Sequence, residues 1–180
     1  MSENKNNLED IIREYLLDEG LLRKRITDSK LSFGFQFVYP PVPETVKART
    51  QAMVVFQPKK KDLLIISIGT QISPPHVEAL EKLGEAKIKF FMELKKLFHL
   101  KNLFFRIDIA NYRYEISDQI FLNSNELISK NTFFDSITKI FNVQAYSNIL
   151  LMEFCSDKLN INDLKNNKDF DSSAGFSLYT

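Results

Sequence analysis

Ser32-Phe33-Gly34-Phe35-Gln36-Phe37-Val38-Tyr39 alternates aromatic side chains with smaller or polar ones. Side chains of an extended strand point to opposite faces in turn, so this spacing gathers Phe33, Phe35, Phe37 and Tyr39 on one face. A helix would scatter the same four rings around its circumference. Pro40, Pro41 and Pro43 follow at once and end the strand, because proline donates nothing to a ladder and disfavours helical geometry in its predecessor. The segment from Pro40 to about Lys47 reads as a loop.

The neighbouring segments extend the same reading. Leu21 to Ile26 is a short strand candidate before the aromatic row. Gln51 to Gln57 and Leu63 to Thr70 are rich in β-branched residues, and the second is apolar at nearly every position, as a central strand covered on both faces should be. The turn Pro58-Lys59-Lys60-Lys61-Asp62 joins them. Leu103, Phe105, Ile107 and Ile109 alternate again, and beyond Asn111 so do Tyr112, Tyr114 and Ile116, which predicts a second antiparallel pair.

Helical spacing appears three times. Leu8, Ile11, Ile12, Tyr15 and Leu16 form one apolar stripe, with Asn7 as the expected N-cap and Gly20 at the left-handed C-terminal position. Ser73 followed by Pro74 marks a second start, and Val77, Leu80, Leu83, Phe91, Leu94 and Phe98 continue it. Gly84 and Lys87 interrupt that stripe, so two abutting helices are expected there. A last helix is expected from about Thr132, with Asp135 three residues on and Phe133, Ile137, Ile140, Phe141, Leu151 and Phe154 along one side. The fold class is therefore α+β, a single antiparallel sheet of about five strands with helices packed on it, in the order α-β-β-β-α-β-β-α. Residues 1–155 are expected to form one domain, and the polar segment 156–180 a flexible tail.

Composition narrows the function. The 180 residues are 44% hydrophobic and include 16 phenylalanines, enough for a packed interior. Twenty-four Lys and Arg against 23 Asp and Glu leave a net charge of +1, so no global field draws the chain to nucleic acid or an anionic membrane. Residues 1–7 are polar and no run of roughly 20 apolar residues exists, so neither a signal peptide nor a membrane span is expected. The single cysteine, Cys155, excludes an internal disulfide and fits a reducing, cytoplasmic setting.

Catalytic signatures are missing. His76 and His99 would lie roughly 30 Å apart on a straight helix, and no C-x-x-C or H-E-x-x-H spacing exists, so no metal site is expected. There is no G-x-S-x-G elbow, and Cys155 among Leu151, Met152 and Phe154 reads as a buried hydrophobe. Gly20, Gly34, Gly69, Gly84 and Gly175 are isolated, so no phosphate-binding glycine loop forms. No catalytic residue and no cofactor are expected. The candidate binding surface is a set of cations beside aromatics: Lys59, Lys60 and Lys61 on one turn, and Phe104, Arg106 and Arg113 on the second strand pair, with Tyr112 and Tyr114 nearby. Such sets stack and neutralise single-stranded nucleic acid. Asp62, Asp108 and Glu115 alternate with these cations, which favours solvated faces instead.

Leu8 to Leu16, Val38-Tyr39-Pro40, Val55 to Asp62, Ile72-Ser73-Pro74-Pro75-His76, Phe91 to Leu97 and Phe133 to Asn142 together resemble an uncharacterised archaeal domain family whose fold is similar to that of type III secretion chaperones. The resemblance implies a compact domain that often dimerises, with no known enzyme activity and escort or scaffold roles toward other proteins. Such chaperones are commonly acidic, whereas this chain is neutral. The expected function is a non-enzymatic protein-interaction domain, homodimeric where an aromatic sheet face such as that of Phe33, Phe35, Phe37 and Tyr39 is left uncovered by the chain's own helices. The alternatives are single-stranded nucleic-acid binding and a small-ligand protein or unrecognised hydrolase.

Overall fold

A computed structural model describes residues 3–41, 50–82, 84–123, 127–156 and 170–171. Helix α1 (Glu3–Asp18) leads into strands β1 (Leu22–Arg25), β2 (Leu31–Tyr39), β3 (Gln51–Pro58) and β4 (Leu63–Ile72). Helices α2 (Pro74–Lys82) and α3 (Ala86–Leu100) follow, then β5 (Phe104–Asp108), β6 (Arg113–Phe121), α4 (Lys130–Cys155) and the two-residue β7 (Phe170–Asp171). The sheet runs β1-β2-β3-β4-β6-β5, with β7 paired to β4. The α+β class and antiparallel pairing match the sequence reading, but the main path holds six strands rather than about five. The sixth is β1, which falls within the short strand candidate at Leu21 to Ile26 that the five-strand order left out; its register against β2 makes it a strand.

Each helix end has a local cause. Gly20 sits at φ +67° and closes α1 with two bonds, Gly20 N–H to the Leu17 carbonyl (2.9 Å) and Leu21 N–H to the Leu16 carbonyl (2.8 Å). Gly84 at φ +61° separates α2 from α3, as the interrupted stripe predicts. Two helix starts differ from expectation. Asn7 lies inside α1 rather than at its cap, because the polar residues before it continue the helix beyond its apolar stripe. The α4 cap is Ser129 rather than Thr132: its Oγ accepts the Thr132 N–H at 3.1 Å, which brings Phe133 into the first turns.

Residues 1–67 and 118–138 form one compact unit, and residues 68–117 and 139–180 form a second; the division falls within β4, β6 and α4. In the first unit β2 and β3 pair along their length, Phe35 opposite Val55 and Phe37 opposite Met53. Phe33, Phe35 and Phe37 are 3%, 2% and 0% exposed, so this aromatic row is not the uncovered face on which the expected dimer depended. Helix α1 packs on β1 and β2, and Tyr39 reaches Thr138 of α4 through its hydroxyl at 3.2 Å. Tyr15 and Phe133 meet at 6.1 Å, and Lys130 spans to Glu19 (2.7 Å) and Asp18 (3.4 Å). Each buried phenylalanine there stabilises the fold by about 2–3 kcal/mol.

In the second unit Phe98 contacts Phe105 (5.5 Å) and Tyr114 (5.7 Å), while Phe90 contacts Phe91 (5.2 Å) and Phe154 (5.8 Å). The Tyr114 hydroxyl is buried, so it is bonded, to Ser147 Oγ at 2.6 Å and from Gln144 Nε2 at 3.3 Å. Strand β7 pairs Phe170 with Ile72 and Asp171 with Gln71. The rest of the segment from 157 onward, read from sequence as a flexible tail, lies outside the described residues, as does most of the proline-rich loop at 42–49. No described helix is long and apolar enough to cross a membrane.

Candidate interaction surfaces

The residues singled out from sequence fall in two different units. Lys59, Lys60 and Lys61 belong to the first unit, on the turn between β3 and β4, and all three are exposed. Lys61 N–H bonds the Pro58 carbonyl at 3.4 Å, and Gln57 Nε2 donates to the Lys61 carbonyl at 3.2 Å, so the backbone of the turn is tied while its ammonium groups stay in water. Phe104, Arg106 and Arg113 belong to the second unit, in the β5–β6 hairpin.

Register decides what that hairpin displays. Phe104 pairs with Ser117, Arg106 with Glu115 and Asp108 with Arg113, so these six share one face. Each arginine is opposite a carboxylate. Asp108 accepts the Asn111 side-chain amide (2.8 Å) and backbone N–H (3.1 Å), and those bonds first, then the Arg113 charge, hold its carboxyl below the ordinary value. Tyr112 and Tyr114 are buried and offer no stacking surface. The face is therefore charge-balanced, with Phe104, 52% exposed, at its open end.

A second cluster was not anticipated from sequence. Tyr112 stands at φ +52°, unusual for a residue with a side chain, and its hydroxyl donates to Glu81 at the end of α2. Lys87, from the first turn of α3, bonds the same Glu81 carboxylate at 3.1 Å and lies 4.1 Å from the centre of the Tyr112 ring, a cation–π contact. The Tyr112 bond, then the Lys87 bond, keep the Glu81 carboxyl low, and burial followed by the Glu81 bond pushes the Tyr112 hydroxyl up. The group fastens α2, α3 and the hairpin turn together. A lysine breaking an apolar stripe beside Gly84 was its trace in the sequence.

His76 is buried, and its Nδ1 meets Ser73 Oγ at 2.8 Å across the first turn of α2. Cys155 lies 3.9 Å from the His76 carbonyl, and burial pushes its thiol up to about 11. A thiol so protonated is a poor nucleophile, consistent with a packing role. His99, on α3, stacks edge-on against Phe105 at 4.9 Å. Among the described residues no three His, Cys, Asp or Glu side chains are grouped to hold a metal ion.

Open apolar surface lies elsewhere. On α3, Ile88 and Met92 are each about half exposed one helical turn apart, and on α4 Tyr146 and Ile149 are likewise. At the sheet's ends, β1 carries Arg23, Lys24 and Arg25, whereas β5 carries Phe104, Phe105 and Ile107 around Arg106.

This architecture, one six-stranded antiparallel sheet with four helices, is shared with a known structure. The chain superposes on the crystal structure of an uncharacterized protein from Methanothermobacter thermautotrophicus with a TM-score of 0.70 at 22% identity, covering 82% of this chain and 98% of that one. That likeness shows the fold. The chain belongs to the family described as uncharacterized conserved protein DUF2299, which it matches over residues 8–151. No curated protein matches it.

Proposed function

We propose that the chain is a non-enzymatic protein-interaction domain that pairs with a second copy of itself along the free edge of β5. The observation that carries the reading is the contrast between the sheet's ends. An edge strand presents unpaired N–H and C=O groups, and proteins blunt such edges with charge or with bulges. Strand β1 has both, three basic residues and a shift of register between Leu22 and Lys24, while β5 has two charges of opposite sign, Arg106 and Asp108.

Those two charges are self-complementary. If two β5 strands pair antiparallel about a two-fold axis at Ile107, Arg106 falls opposite the partner's Asp108 and Asp108 opposite the partner's Arg106. A shift of the axis to Arg106 or to Asp108 would place like charges face to face, so one register is selected. The exposed Phe104, Leu100 and Ile109 flank the strand and supply apolar area to such a contact. A type III secretion chaperone-like fold, with escort or scaffold activity toward a client in the cytoplasm, is the finer form of this reading, supported by the sequence resemblance.

Sedimentation equilibrium at micromolar concentration tests it, with a dimer expected; a strict monomer overturns self-association. The register is tested by charge reversal. Arg106→Asp and Asp108→Arg are each expected to weaken the dimer by on the order of 10- to 100-fold. An equimolar mixture of the two variants should regain it as a heterodimer, because an all-acidic strand then faces an all-basic one. A dimer that persists in both single variants would instead place the contact elsewhere, with the outer faces of α3 and α4 the next surfaces to alter.

A further inference from the structure

The β3–β4 turn acquires neighbours that only the folded chain supplies. Lys59 N–H bonds the Lys30 carbonyl at 2.9 Å, which sets the turn before β2 beside the three lysines. Leu122 N–H bonds the Asp62 carbonyl at 3.0 Å, which brings the end of β6 to the same place, with Phe121 71% exposed. All these residues lie within the first unit. Lys30, Lys59, Lys60 and Lys61 are exposed, and among the described residues none of their ammonium groups is in an ion pair; Lys24, Lys95 and Lys101 are also unpaired, but these four are the ones that the hydrogen bonds of the turn gather. Asp28 and Asp62 are the carboxylates of these turns, and Asp28 accepts the Lys30 backbone N–H at 2.7 Å. Four cations against two anions make a local positive excess on a chain whose net charge is +1.

We infer that this end of the sheet binds single-stranded nucleic acid, the lysines taking successive phosphates and Phe121 stacking on a base. Phosphate neutralisation alone would suit any polyanion. A large exposed ring next in sequence to Leu122, which the Asp62 carbonyl holds to this turn, is what favours a ligand with planar bases over an acidic polypeptide. Lys60 adds to the case: it sits at φ +61°, where glycine or asparagine is the cheaper residue, yet this position carries a charged side chain. The site shares no residue with the β5 edge. It also differs from the surface expected from sequence, because it joins Lys59, Lys60 and Lys61 to Lys30 and Phe121 rather than to Phe104, Arg106 and Arg113.

The test is fluorescence anisotropy with labelled single-stranded oligo(dT) and oligo(U), using polyglutamate as the acidic-polypeptide probe. Affinity for single strands falls with salt by about 0.7 logarithmic units per phosphate neutralised. Four contacts therefore predict about 50-fold weaker binding in roughly 200 mM than in roughly 50 mM salt. Replacing Lys59, Lys60 and Lys61 together by Ala should cut that slope to about a quarter. Phe121→Ala should weaken binding by roughly 5- to 150-fold and leave the slope unchanged, since stacking releases no counterion. In the unaltered chain, photo-cross-linking of a 4-thiouridine oligonucleotide should label the peptide holding Phe121. No binding at low salt, a triple variant that binds as the parent does, or polyglutamate bound as tightly as the oligonucleotides would each overturn the proposal.

Discussion

Two hairpin turns use the same uncommon backbone geometry and hold it by different means. In the β3–β4 turn the left-handed residue is Lys60 at φ +61°, and in the β5–β6 turn it is Tyr112 at φ +52°. Tyr112 is buried against Phe91 (6.2 Å), lies beneath the Lys87 ammonium and bonds Glu81, and its carbonyl accepts the Ile72 N–H at 2.9 Å. Lys60 has none of this. Its turn is tied only through backbone groups and Gln57, and its side chain lies in water. A left-handed conformation costs a residue with a side chain about 1–2 kcal/mol. The difference teaches that packing offsets this cost at Tyr112, whereas at Lys60 no described residue does. Strain that the fold does not use marks a candidate for contact with something else.

The largest expected effect is at Tyr112. Replacing it with Ala removes the ring from Phe91 and Lys87 and should cost about 3 kcal/mol or more in urea unfolding. Tyr112→Gly should cost less than Tyr112→Ala by about 1 kcal/mol, because glycine accepts the positive φ; equal losses would show that the turn carries no strain.

The pH dependence separates the turns further. Glu81, held low by Tyr112 and then Lys87, contributes stability above its unfolded value of 4.5 that is lost as pH falls below it. Lys87, raised first by Tyr112 despite partial desolvation, contributes below 10.5 and loses that contribution as pH rises past it. Tyr112, raised chiefly by burial, likewise loses its contribution above 10.0. Tyr112→Phe should therefore cost about 1 kcal/mol at neutral pH and make both limbs of the stability profile shallower, measured by thermal unfolding between pH 3 and pH 11. Unchanged limbs would mean that the Glu81–Lys87–Tyr112 group is not formed in solution.

The smallest effect belongs to the other turn. Lys60→Gly should stabilise the chain by roughly 0.5–1 kcal/mol and leave the pH profile as it is. A destabilisation there would erase the contrast between the turns and reveal a structural role for the lysine side chain.

Much of the fold was legible because period 2 and period 3.6 patterns are local. The aromatic alternation from Phe33 to Tyr39, the apolar run from Leu63, the break at Gly84 and the left-handed Gly20 all appear where the spacing puts them. Strand β1 could be read only as a short candidate, since an edge strand that meets water on its outer side needs no alternation, and the α4 start was placed at Thr132 because Asp135 three residues on gives a capping-box pattern, whereas the cap is Ser129. The candidate surfaces were legible only in part. Lys59 to Lys61 could be seen as a cationic turn, but Lys30 and Phe121 join them through hydrogen bonds between segments far apart in the chain. Asp108 and Glu115 already counted against a basic patch in the sequence, and register sets them opposite Arg113 and Arg106.

Sequence alone determined which segments are strands and helices, that the interior is built on phenylalanine, and that no familiar catalytic spacing is present, since each of these depends on neighbours within a few positions. The tertiary structure decided which aromatic row is buried, which strands end the sheet and which cations stand together without an ion pair among the described residues. Those properties belong to pairs of residues that only strand register and helix packing bring within reach, and no local pattern encodes them.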